Sequence, residues 1–232
     1  MPGRRTAALV ALVALAAACS SGSRDGGADR STTSSLGGSS PSVTTAAFAF
    51  EVSTVTADDL YASWRPGCPL PVDQLRAVDA SFWDFDGKVA QGRIIVDAAE
   101  AANVVQVLRA LFDGHYEIHR MQPVDAYGGS DDASVDADNT SGFNCRKATG
   151  GTGWSEHAYG RAIDLNPLEN PYVVGDQVLP PQSAPLVDRS RTDQGLIHDG
   201  DAAVVAFQQV GWTWGGHWRN SKDYQHFSVN GR

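Results

Sequence analysis

Apolar positions recur along this chain with several different spacings, and each predicts an element. Segments 74–85 and 92–96 flank Asp86-Gly87, a dipeptide suited to a tight turn, and predict a β-hairpin. From Ala101 the spacing lengthens to three and four residues. Ala101, Val104, Val105, Leu108, Leu111 and Phe112 stripe one face of a helix, with Asp97 as its expected cap and Gly114 as its stop. A strand is expected over 116–121. Residues 125–152 are polar and rich in Gly and Asp, which predicts a long loop of the kind that carries function in compact domains. Segment 161–165 reads as a strand whose side chains alternate. Ile163 and Leu165 then share one face, and Ala162 and Asp164 the other. Residues 167–195 hold five prolines and no period, and a second helix over 201–210 has Ala203, Val204, Phe207 and Val210 on one stripe. The alternation returns at 224–229, where His226 lies with Tyr224 and Ser228, opposite Phe227 and Val229. Together these predict an α+β domain over 47–232, a small antiparallel sheet flanked by helices, with no internal repeat.

The first residues follow another logic. Arg4-Arg5 and the apolar run 7–18 have the shape of a secretory signal, too short to span a membrane as a mature helix. The run ends in Ala16-Ala17-Ala18 before Cys19, similar to a bacterial lipobox with Leu15 one position further out than usual. Processing there would make Cys19 the lipidated first residue; the alternative is an ordinary signal peptide removed nearby. Residues 20–46 are dominated by Ser, Gly, Thr and Ala, too poor in large apolar side chains to offset their chain entropy, and predict a disordered tether. The expected product is a monomeric domain at the outer face of the cytoplasmic membrane or in the cell wall, touching the membrane only through its lipid.

Composition narrows the partners. Formal charge is −9, and loss of Arg4 and Arg5 with the leader makes the mature chain more acidic still, which argues against nucleic acid. Setting Cys19 aside, Cys68 and Cys145 lie in no metal-binding spacing and read as a structural disulfide in an oxidising compartment; two buried thiols are the alternative.

The candidate chemistry lies in two stretches. His157 and Asp164 stand seven apart around Gly160, and Asp223-Tyr224-Gln225-His226-Phe227 closes the chain. Two imidazoles and one carboxylate form a three-ligand set for a catalytic Zn2+ with one position left open for water. Asp223, three residues before the last ligand, is the candidate base. In a regular strand positions three apart face opposite sides, so Asp223 joins His226 only if the chain bends where that strand begins. No HExxH helix, GxSxG elbow or Walker loop is present.

The string Ser155-x-His157-x-x-Gly160-x-Ala162-Ile163-Asp164, with Asp223-x-x-His226-Phe227, resembles the D-alanyl-D-alanine carboxypeptidase and L-alanyl-D-glutamate endopeptidase family, zinc enzymes that cut cell-wall peptides and share their fold with the hedgehog signalling domain. The likeness is concentrated in 140–172 and 211–227. It implies His157, Asp164 and His226 as zinc ligands, Asp223 as base and peptidoglycan stem peptides as substrate. Aspartate at the base position, Trp214-Gly215-Gly216-x-Trp218 and Asn166-Pro167-x-x-Asn170-Pro171-Tyr172 look like the endopeptidase branch. The family's oxyanion-stabilising arginine falls on Arg146, although its gap to His157 is shorter than in better-known members; a surface arginine is the alternative. Ser155 is a candidate for contacting ligand or substrate, or an ordinary turn serine. Trp154, Trp212, Trp214 and Trp218 are candidates for a stacking wall or for core. His217 is the one remaining histidine placed to line a pocket, whereas His115, His119 and His198 read as unrelated to the site. The rival function is a binding domain that keeps zinc without turnover, as the hedgehog relative illustrates.

Overall fold

The computed structural model describes residues 46–232; the leader, Cys19 and all but the last residue of the tether lie outside them. In chain order the elements are β1 (Phe50–Thr54), β2 (Leu75–Trp83), β3 (Val89–Asp97), α1 (Ala101–Asp113), α2 (Asp131–Asp136), β4 (Ala162–Asp164), β5 (Tyr172–Val174), β6 (Gln177–Leu179), α3 (Ala202–Gln209), β7 (Thr213–Trp214), β8 (Ser221–Asp223) and β9 (His226–Ser228). Where one small sheet was expected there are three, each three-stranded and antiparallel, ordered β1-β2-β3, β4-β9-β7 and β6-β5-β8.

The first sheet is the long one, and its alternation sorts two cores. Val78, Ala80, Phe82, Ile94 and Val96 join α1, α3, Ile163, Leu165 and Phe227 in one cluster. Leu75, Ala77 and Ile95 project from the other face onto Val55, Leu60, Leu70, Phe143 and Cys145. The Cys68–Cys145 disulfide forms at the edge of that second cluster, across 77 residues of chain. Within the first cluster Phe207 of α3 stacks on Phe227 of β9 at 3.9 Å, which fixes the strand carrying His226 against the helical layer.

Several expectations give way to local chemistry. The hairpin connection is longer than a two-residue turn: Asp84 Oδ1 accepts from the N–H groups of Asp86 and Lys88, closing residues 84–88 with Gly87 at φ 70°. Asp97 ends β3 instead of capping α1. Its carboxylate accepts from Ala99 N–H and Arg161 Nε, and Glu100 stands at the cap position. Segment 116–121 makes only single bridges, Trp83 to Glu117 and Met121 to Thr140, because the Asn166 side chain takes up ladder groups, accepting from His119 N–H and donating to Glu117 C=O. The expected loop at 125–152 contains α2 and then a buried polar run. Residues 139–145 lie between the first sheet and the second, with Phe143 N–H on Ile95 C=O and Ser141 exchanging both backbone bonds with Asp164. No described helix is long and apolar enough to cross a membrane.

Candidate metal centre and cavity

Three pieces of backbone deliver the ligand candidates. His157 sits in the 3-10 turn Glu156–Tyr159, opened by Ser155, whose Oγ accepts from His157 N–H at 3.3 Å, and closed by Gly160 at φ 64°. Asp164 and His226 are directly opposed in the β4–β9 ladder and therefore share a face. The bend needed for Asp223 is present as a change of sheet. Asp223 ends β8, paired with Tyr172, and after Tyr224-Gln225 the chain enters β9, paired with β4. Tyr224 is held through this bend by Trp214 Nε1, which donates to its C=O at 2.8 Å, and by the Arg189 guanidinium 4.4 Å above its ring. Gly215 makes the approach possible: a Cβ there would fall 2.6 Å from Asp223 C=O and 2.9 Å from its Cβ.

The three ligand candidates are buried and meet closely. His157 Nε2 lies 3.0 Å from Asp164 Oδ2, His226 Nδ1 lies 2.9 Å from Asp164 Oδ1, and the two ring nitrogens are 3.3 Å apart. Each ring's other nitrogen faces a backbone oxygen, His157 Nδ1 on Gly142 C=O at 2.6 Å and His226 Nε2 on Arg232 C=O at 2.8 Å. A carbonyl only accepts, so those nitrogens carry protons, and with a metal cation at the shared point the other two nitrogens are free to turn lone pairs toward it. Three acceptors sharing one buried point repel unless a cation joins them, and an outer carbonyl orienting each imidazole is the usual support of a metal-binding histidine. These residues fit a divalent ion with N, N, O ligands, and all three donor atoms can be chosen within 4.8 Å of one another.

Electrostatics point the same way. Burial pushes the Asp164 carboxyl up, but the His157 and His226 rings outweigh it and hold the group far below the usual carboxylate range. Burial opposes charge on His226, yet the hydrogen bond and charge of Asp164, with Asp223 behind, raise it to about 9. Asp223 is pushed up to about 7 by burial and, less, by the Asp164 charge, against the two histidines and the Gln225 amide. The cluster is short of positive charge.

A cavity of about 840 Å3 opens over this cluster. His157, Asp164, His226, Asp223, Arg146 and Ser155 all line it, so the sequence-predicted centre converges there. The short gap between Arg146 and His157 has a structural reason. The chain turns back at 148–153, with Ala148 N–H on Gly153 C=O, and Arg146 C=O accepts from Ser155 N–H, which places the arginine beside the ligand turn. Two predicted residues fall elsewhere. Trp214 is buried against Phe227, where its bulk serves the core, and His217 is half-exposed and paired with Asp199 at 2.8 Å. Trp154 and Trp218 are the tryptophans on the cavity wall, and Trp212 is core. Tyr172, Gln225 and Asp131 line the cavity too, although no sequence signal singles out the last two. His115 stacks on Trp83, His119 meets Asp138 and His198 meets Asp201, all outside the centre.

No curated protein and no solved structure matches the chain. A family model does: residues 149–229, the stretch holding all three ligand candidates and Asp223, match the model of D-alanyl-D-alanine carboxypeptidase.

Proposed function

We propose that this protein is a zinc-dependent peptidase that hydrolyses peptidoglycan stem peptides, of the L-Ala-D-Glu endopeptidase or D-Ala-D-Ala carboxypeptidase type. The observation that carries the reading is the presence, on one cavity, of the His157–Asp164–His226 cluster together with Asp223 and Arg146. A site that only held a metal would have no use for a further carboxylate on the same cavity wall. Zinc held by the three ligands would polarise the scissile carbonyl and acidify the attacking water. Asp223 takes the proton from that water and returns it to the leaving amine. Arg146 stabilises the charge that develops on the carbonyl oxygen. Ser155 holds the turn that presents His157. In this reading the chain acts as a monomer outside the cytoplasmic membrane, tethered through lipidated Cys19.

Digestion of purified peptidoglycan by the wild type and by Asp223→Ala, with mass analysis of the soluble peptides and zinc assay of both proteins, tests this. The wild type should release new fragments whose masses name the bond. The variant should keep its zinc and lose roughly 10²–10⁴-fold in rate. Identical product profiles at equal rates would leave a zinc-holding binding domain as the reading.

A further inference from the structure

The geometry points to Asp131 as the positioning residue for Arg146: it holds the guanidinium from the Nε side and leaves the Nη edge turned to the substrate. Arg146 Nε lies 2.7 Å from Asp131 Oδ1, an ion pair without the alignment of a hydrogen bond, with the two side chains only 23% and 32% exposed and Nε itself buried. Asp131 is itself fixed. Ser130 Oγ caps α2 by accepting from Ala133 N–H, so Asp131 occupies the first helical position. Asn144 Nδ2 reaches the same Oδ1 at 3.4 Å, and Asn144 N–H donates to His157 C=O at 3.1 Å. The carboxylate is thus tied to the turn that carries the first ligand, and through it Arg146 is kept in register with that ligand.

A guanidinium has five N–H donors in a rigid fork. One Nη1 hydrogen goes to Lys147 C=O at 3.3 Å, and among the described residues no hydrogen bond uses Nη2 or Nε, so charge attraction to Asp131 is what holds the Nε side. An arginine on a flexible stem loses orientation easily, and stabilising an oxyanion depends on a donor already in place when charge develops. α2 therefore has work beyond packing: it brings a carboxylate to the far side of the arginine. Both Asp131 and Arg146 line the cavity, so the contact lies within the site and not on a remote surface.

The role of Arg146 rests on the peptidase reading above; its contact with Asp131 does not. Two measurements separate them. In a turnover cycle on peptidoglycan fragments, Asp131→Asn should lower kcat roughly tenfold with little change in KM, and should cost less than about twofold more when added to Arg146→Ala, measured with enzyme in excess. In 15N spectra of the whole domain, the Arg146 Nε–H signal, identified by its loss in Arg146→Lys, should be protected from solvent exchange in the wild type and lost in Asp131→Asn. Equal losses in both arginine backgrounds, or an Nε–H signal that survives Asp131→Asn, would overturn the inference. An inactive wild type whose signal still depends on Asp131 would instead refute the peptidase reading and leave the contact standing.

Discussion

The first sheet and the site are built by different physics. In β1-β2-β3 the nine-residue strands β2 and β3 pair along their full length, and alternating side chains fill a core on each face. The site has strands of two or three residues, below the usual length of an independent strand. What fixes them is individual bonds: the buried Asn166 and Asn170 side chains behind β4, the Gly142 and Arg232 carbonyls behind the imidazoles, and a glycine where the backbone comes nearest. Burial holds the first region and tolerates small errors; the second depends on single atoms.

A matched pair of glycine substitutions separates the two regions most sharply. A Cβ on Gly215 would meet Asp223 C=O and Cβ, and the His226 Cβ at 3.3 Å, so Gly215→Ala must push the proposed base and a proposed ligand out of place. A displacement of about 1 Å at reacting groups costs on the order of 10²-fold in rate, and that loss is expected here. Gly87 in the hairpin has φ +70° and nothing within 4 Å of an added Cβ. Gly87→Ala should cost stability by about 1–2 kcal/mol and leave kcat unchanged. Comparing kcat and thermal midpoint for the two variants tests this; a Gly87→Ala effect on turnover as large as that of Gly215→Ala would erase the distinction.

The same contrast explains what was legible in the sequence. Helix α1 and the hairpin declare themselves because burial imposes a period; the ligand candidates, whose types and spacing alone are common by chance, stand out through the constrained string Ser155-x-His157-x-x-Gly160-x-Ala162-Ile163-Asp164 around them. The strand expected at 116–121 fails because Asn166, 45 or more residues away in sequence, occupies its ladder groups, and no local pattern records that. The polar run 139–145 reads as loop, yet Asn139, Thr140, Ser141 and Asn144 are buried with their hydrogen bonds met by distant partners. Trp214 belongs to a motif but serves the core, since an indole beside a strand finds more contact there than on a cavity wall. Asp131 is one acid among many until α2 aligns it with Arg146.

The disulfide joins the two regions, tying the segment under the first sheet to the residue before Arg146. Cys68→Ser should lose about 2–4 kcal/mol, typical for a native bridge. Because Asp131 and the pairing of 146 with 155 also hold Arg146, turnover by the folded fraction should fall by less than about tenfold. Denaturant unfolding and kcat on one preparation give both numbers. A complete loss of turnover with the fold intact would make the bridge, and not the ion pair, the element that orients the arginine.

The smallest effect expected lies behind the site, at Glu169. Burial raises its carboxyl to about 8, and the charge and hydrogen bonding of Asp138 push the same way. This shift is upward, so its sign is opposite to that of a salt-bridged acid. The fold binds the protonated form better than the unfolded chain does, so the native state holds more protons between the ordinary value of 4.5 and about 8. The contribution is therefore fully present below 4.5 and lost as pH rises through that window. Glu169→Gln keeps the shape and removes the titration, so its thermal midpoint should fall less than that of the wild type between pH 5 and 8 while kcat is unaffected. Parallel midpoint curves would mean that Glu169 ionises at its ordinary value, and that this edge of the site region is held by burial, as the first sheet is, with no cost from a trapped proton.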